Sequence, residues 1–151
     1  MKKLLSLLAL AMVSVATLPV QAATATGNFD VNINLTSACI YTKTSDVAFS
    51  YTSFQATAQA QTTAGGLTVK CTNLLPYTLA LDTAGSYTDL AVNLAYTLAL
   101  SAAGGTGNGA DQTYSVTGSI PANQSGNCAT LGGACNNSSS TNKQRTLTIS
   151  Y

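Results

Sequence analysis

The chain has 151 residues, a formal net charge of +1, and charged side chains at only 7% of its positions. Lys2 and Lys3 lie in the first 22 residues, which we expect to be a leader that is removed. The rest of the chain carries four basic and five acidic side chains. A net charge of about −1 leaves no basic field for a phosphate backbone or an anionic membrane surface. We therefore expect no nucleic-acid partner and no electrostatic binding to membranes.

The first 22 residues have the three-part pattern of a secretory signal peptide. A basic start is followed by an uncharged apolar run over residues 4–20, and small residues precede a cleavage point after Ala22. A membrane anchor is the less favoured alternative, because the run is near the short limit of roughly 17 residues and lacks a basic C-terminal flank. Cleavage leaves residues 23–151, which suits one domain with a single core.

All four cysteines follow the leader. An even number behind a secretion signal indicates disulfides formed in an oxidising compartment. Three pairings are possible, and we favour Cys39–Cys71, which joins two predicted strands, and Cys128–Cys135, which closes a short Gly- and Ala-rich loop. A structural zinc site is disfavoured, because the sequence has no His and no CxxC spacing.

Apolar and polar residues alternate along most of the chain after the leader. The alternation is clear over residues 28–35, 67–72, 77–82 and 146–151. Each run has one dry and one wet face as a strand, which predicts antiparallel sheets around one core. Residues 89–100 are rich in Leu and Ala, but the apolar residues fill every even position from 90, so they too predict a strand.

The sequence lacks the side chains with which most enzymes move protons near neutral pH. It has no His and no Glu, so a Ser–His–Asp or Cys–His arrangement cannot be built. Asp82 and Asp89 flank a glycine turn and could form a carboxylate pair for glycoside hydrolysis, but solvated loop acids are the simpler interpretation. The Gly-rich residues 104–109 lack the Lys of a phosphate loop. We expect no enzymatic activity, no catalytic residue, no metal, no cofactor and no small-molecule substrate.

The alternating run nearest to the leader is the most informative for function. Residues 27–35 place Phe29, Val31, Ile33 and Leu35 on one face and polar residues on the other. The pattern alone fits an ordinary edge strand of the same sandwich at least as well as a strand lent to another molecule.

Several segments follow one another in a recognisable order. They are residues 26–34, Cys39, residues 69–72, 77–82 and 116–124, and the ending 146–151 with its aromatic last residue. In this order of motifs the chain resembles the spore coat protein U domain of archaic, Csu-type chaperone–usher pilins. The Cys128–Cys135 loop departs from the pattern, since the best-known members need not share it.

The resemblance implies an all-β fold, an incomplete immunoglobulin-like β-sandwich that lacks its last strand and is completed by a donor strand from a neighbouring subunit. It implies a donor extension over residues 23–36 and a pilin domain over residues 37–151. The inserted donor side chains would be Phe29, Val31, Ile33 and Leu35. The strand that borders the groove and pairs with the chaperone would carry Leu147, Ile149 and Tyr151.

The resemblance also implies partners and a location. The partners would be identical or related pilin subunits in a head-to-tail polymer, a periplasmic chaperone and an outer-membrane usher. The protein would pass through the periplasm to the cell surface as a structural pilus or fimbria subunit that supports adhesion and biofilm formation. The alternatives are a secreted coat protein or a carbohydrate- or surface-binding module that does not polymerise, and a small secreted hydrolase that uses scattered Asp residues.

Overall fold

The structure is a computed structural model that describes residues 23–137 and 140–151. The signal peptide predicted for residues 1–22 lies outside the described residues. The chain divides into two units, of which the first ends at Asn34 and the second comprises Leu35–Tyr151. All regular secondary structure of the described residues belongs to the second unit.

Strands account for nearly all of this regular structure. A 3-10 turn over Asp82–Gly85 and a short helix α1 over Ser140–Lys143 are the exceptions among the described residues. The strands, in chain order, are β1 Cys39–Ser45, β2 Gln59–Ala60, β3 Gly65–Cys71, β4 Pro76–Leu81, β5 Ser86–Asp89, β6 Leu94–Leu100, β7 Gly104–Thr106, β8 Gln112–Ile120 and β9 Leu147–Ser150.

The strands form two antiparallel sheets that pack as a sandwich. The larger sheet has the order β1-β3-β8-β6-β5, and β2 pairs with the end of β8. The smaller sheet has the order β7-β4-β9. The prediction of an all-β sandwich is therefore confirmed.

The core lies between the central strands of the two sheets. Alternate residues of β3, β4 and β8 are buried and their neighbours are exposed or half-buried, as the two-residue period of a strand requires. Each buried aliphatic side chain contributes roughly 1.5–3 kcal/mol by leaving water. The buried cluster consists of Leu67, Val69, Cys71, Tyr77, Leu79, Tyr114 and Val116.

The single strand predicted over residues 89–100 is wrong in its first part. Strand β5 ends at Asp89, residues 90–93 form a turn, and β6 begins at Leu94. The apolar residues keep their even spacing across this turn, so periodicity alone could not reveal it. The prediction of a strand instead of a helix holds for β6.

The β5–β6 turn is held by the buried carboxylate of Asp89, which accepts hydrogen bonds from the backbone of the turn. Its Oδ1 accepts hydrogen bonds from the backbone N–H groups of Ala91 and Val92 at 2.9 and 3.1 Å. Its Oδ2 accepts a bond of 2.7 Å from the side-chain amide of Asn137. Asn93 takes a left-handed conformation, with φ of 50°, which Asn tolerates better than most residues. Asp89 is 2% exposed, and the bonds that its carboxylate accepts hold the turn in place.

Two buried tyrosines have raised pKa values. Burial, and then the hydrogen bond to Tyr114, raises the pKa of Tyr77 to about 12. Burial, and then the hydrogen bond to Asp82, raises the pKa of Tyr87 to about 12. Both phenols therefore favour the protonated form in the folded state more than in the unfolded chain, where the pKa is near 10.

We expect the stability of the domain to fall between pH 10 and pH 12. In that range the unfolded chain loses phenol protons that Tyr77 and Tyr87 retain in the folded state, so the free energy of unfolding decreases as pH rises. Below pH 10 these two groups contribute no pH dependence. Thermal unfolding followed by circular dichroism at pH 9 to 12 checks this. The double variant Tyr77→Phe and Tyr87→Phe should lose less stability across that range, and an equal loss would contradict the assignment.

Candidate functional site

Strand β9 is an edge of the smaller sheet. It pairs on one side with β4, where Leu147 lies opposite Leu81 and Ile149 lies opposite Leu79. On its other side, no strand within the described part of the chain pairs with it. Its outer backbone N–H and C=O groups can therefore accept another strand.

The side chains of β9 alternate between the interior and the surface. Leu147 and Ile149 are half-buried and pack against the core cluster, whereas Thr148 and Ser150 are exposed. Tyr151 lies directly after the strand and is 61% exposed. Of the three residues expected at the groove edge, two thus face the core and the third lies at the surface beyond it.

An open cavity of about 1480 Å³ lies between the sheets and extends along the residues that lead into β9. Several inward-facing apolar side chains are only half-buried, because no described residue of the second unit covers them fully. Apolar surface facing open space is unfavourable, so the cavity is a place where an added apolar strand gains free energy. Apolar residues lining the cavity include Val47, Leu67, Leu81, Leu98, Val116 and Leu147.

Arg145 lies against this cavity, two residues before β9. Its guanidinium carbon lies 4.7 Å from the ring centroid of Tyr87 and 5.7 Å from that of Tyr96. Its Nε donates a hydrogen bond of 2.7 Å to the Tyr96 hydroxyl, and the two rings stack at 5.1 Å. The cluster ties the start of β9 to β5 and β6 of the larger sheet. Sequence reasoning missed it, because the three residues share no motif or local spacing.

The N-terminal segment carries its apolar side chains in solvent. Residues 23–38 form no strand or helix, although residues 28–35 alternate as a strand would. A strand requires a partner, and no described strand pairs with this segment. The four side chains expected to insert into a neighbour are Phe29, Val31, Ile33 and Leu35, which are 84%, 70%, 86% and 78% exposed.

Two disulfides stabilise the second unit. Cys39 and Cys71 are linked and lie directly opposite each other on β1 and β3. Cys128 and Cys135 are linked across a short surface loop. These are the pairings favoured from the sequence.

The carboxylates that could have suggested hydrolysis have structural roles. The Tyr87 hydroxyl bonds the carbonyl and the Oδ1 of Asp82, both at 2.8 Å, while Asp89 caps the β5–β6 turn. Within residues 23–137 and 140–151, no group of three His, Cys, Asp or Glu side chains could hold a metal ion. Among the described residues, no helix combines the length and the apolar character that a membrane span requires.

Comparison with known proteins identifies the family. The model of the Spore Coat Protein U domain matches residues 25–132, which is more than half of the chain. No curated protein and no solved structure gives a significant match. The family is structural and pilin-like, is associated with extracellular chaperone–usher pili and coats, and is not known to be enzymatic. This chain belongs to the Spore Coat Protein U domain family.

Proposed function

We propose that this protein is a structural subunit of an extracellular pilus or fimbria, assembled by the chaperone–usher pathway through donor-strand exchange. The observation that carries the proposal is the presence of two complementary features in one chain. One is the outer edge of β9, with which no described strand pairs, beside an open cavity that is lined in part by apolar side chains. The other is an exposed alternating segment, residues 27–35, with which no strand of the described residues pairs.

The two features match in backbone and in side chains. The outer edge of β9 offers hydrogen-bonding groups along its length, and an extended segment satisfies them by strand addition. The alternation of the segment then directs Phe29, Val31, Ile33 and Leu35 toward the cavity. Burying four such side chains is worth roughly 6–12 kcal/mol before the entropy of ordering is subtracted.

The contact is heterologous, because one subunit gives its N-terminal segment and the next gives its groove. A heterologous contact that does not close on itself generates a filament. Before assembly the open groove exposes apolar surface, which explains a need for a periplasmic chaperone that occupies it. The usher would then exchange the chaperone for the next subunit, and the fibre would support surface adhesion and biofilm formation.

A peptide experiment tests this function on the chaperone-bound subunit. A synthetic peptide of residues 25–36 should displace the chaperone and raise the Tm of the released subunit by about 10 °C or more. The control is a peptide of the same composition in which the four apolar residues are consecutive, because no register of that peptide directs all four side chains toward the cavity. Purification of a stable monomer that needs no chaperone and takes up neither peptide would favour a non-polymerising coat protein.

A further inference from the structure

Two large apolar residues adopt a backbone conformation that is costly for them. Phe54 has φ of 63° and Leu74 has φ of 66°, both in the left-handed region that disfavours bulky L-residues. Their side chains are also 72% and 78% exposed. Neither residue gains burial in the single subunit, so strain and exposure together point to a contact with another molecule.

Leu74 lies at the end of the domain where β1 begins, which we call the Cys39 end. It is in the turn between β3 and β4, and its N–H donates a bond of 2.7 Å to the Gly107 carbonyl. The turn also holds the residue that precedes β1, since Thr72 and Ala38 exchange backbone and side-chain hydrogen bonds of 2.9 Å. Leu74 is therefore fixed beside the point where the N-terminal segment joins the domain.

Phe54 lies at the opposite end, which we call the loop end. Its N–H donates a bond of 2.8 Å to the Gln124 carbonyl, and Asn127 donates one of 2.7 Å to the Val92 carbonyl. These bonds join the loop around Phe54, the β5–β6 turn and the loop that contains the second disulfide. Two more exposed apolar side chains lie on the joined loops, Leu90 at 74% and Leu131 at 102%.

The direction of β9 decides which ends meet in a polymer. β9 runs from the loop end, where Leu147 pairs with Leu81, to the Cys39 end, where Ser150 pairs with Thr78. Every strand pair of the described domain is antiparallel. A donor strand that pairs antiparallel with β9 runs in the opposite direction to β9. It therefore enters the acceptor's groove at the Cys39 end and leaves it at the loop end. Residues 36–38 then connect it to the donor's own β1, a reach of at most about 14 Å between Leu35 and Cys39.

We propose that consecutive subunits form a second contact, in which the Cys39 end of the donor domain packs on the loop end of the acceptor. This inference rests on the proposed donor-strand exchange and deepens it. The partner is a second copy of this chain. Leu74 of the donor domain covers apolar side chains of the acceptor's joined loops, which include Phe54, Leu90 and Leu131.

Asn substitutions show whether Leu74 and Phe54 serve the contact or the fold of the subunit. Asn tolerates left-handed backbone better than Leu or Phe, so it relieves the strain while it removes the apolar side chain. Leu74→Asn and Phe54→Asn should each raise the Tm of a peptide-complemented subunit by about 3 °C. The same changes should weaken the contact in the polymer. Ala84→Asn is the control for the backbone effect, since Ala84 is exposed and left-handed, with φ of 51°, and its replacement removes no large apolar side chain. It should leave the polymer contact unchanged.

Hydrogen exchange in the polymer, compared with the peptide-complemented subunit, measures the contact directly. Both have a filled groove, but only the polymer has a neighbouring domain. We expect exchange at residues 52–56 and 72–75 to be about tenfold slower in the polymer. Leu74→Asn should remove the protection at residues 52–56 of the adjoining subunit as well.

The outcomes distinguish the two proposals. Polymers with unchanged exchange at both turns would overturn the end contact and leave donor-strand exchange intact. Protection at residues 52–56 that survives Leu74→Asn would also overturn it, since another occupant would then cover the loop end. Failure of the wild-type chain to polymerise would instead contradict the proposed function.

Discussion

Replacement of Ile33 by Asp should abolish fibre formation while the subunit still forms its complex with the chaperone. Ile33 is 86% exposed in the single chain, so the change costs the free subunit little. In the polymer it loses roughly 1.5–3 kcal/mol of apolar burial and places a carboxylate among the half-buried apolar side chains of the groove, which is unfavourable as well. Electron microscopy and SDS-resistant ladders from a periplasmic extract measure the outcome.

The neighbouring residue supplies a matched control. Asn32→Asp introduces the same charge one position away, on the face of the strand that already carries Asp30. We expect normal fibres from this variant, because its side chain points away from the cavity. Normal fibres from Ile33→Asp would remove Ile33 from the donor assignment, and loss of fibres from both variants would show that the face of the strand does not matter.

Removal of the Cys39–Cys71 disulfide should have the largest effect on folding. The bond links residues 32 positions apart and joins the first residue of β1 to the last residue of β3. The chain-entropy model gives a loss of about 3–4 kcal/mol for such a loop, a large share of the 5–15 kcal/mol typical of a domain. The double change Cys39→Ala and Cys71→Ala avoids a free thiol and should lower the periplasmic yield several-fold.

The second disulfide is the control for this effect. Cys128 and Cys135 are only seven positions apart in a surface loop, so their replacement by Ala should reduce the yield less. The yields are compared by immunoblotting of periplasmic extracts with the chaperone present. An undiminished yield after loss of the Cys39–Cys71 bond would show that strand pairing alone holds β1 in place.

Strands that bury one face were predictable, because burial of every second side chain requires an apolar residue at every second position of the sequence. The runs over residues 67–72, 77–82 and 146–151 correspond to β3, β4 and β9 within one or two residues. The inward side chains of β9 are apolar, and no strand of the described residues pairs with its outer edge.

Features that depend on contacts between distant residues were not predictable. The β5–β6 turn rests on a bond from Asn137 to Asp89, 48 positions away, and the alternation of apolar residues passes through it unchanged. The packing of Arg145 on Tyr87 and Tyr96 has no local pattern either. Residues 28–35 show the reverse case, in which the sequence has the alternation of a strand but the single chain forms none. A strand needs a pairing partner, and no described strand pairs with these residues.

The most direct test of donor-strand exchange is deletion of residues 27–35. The mature chain, with and without this segment, is expressed in a periplasm beside its cognate chaperone and usher, and fibres and SDS-resistant ladders are followed. We predict that ladders and fibres disappear on deletion while the chaperone complex remains, because the groove is intact and only the donor is lost. A well-folded, chaperone-independent monomer from the full mature chain, without ladders, would contradict the account and favour a coat protein.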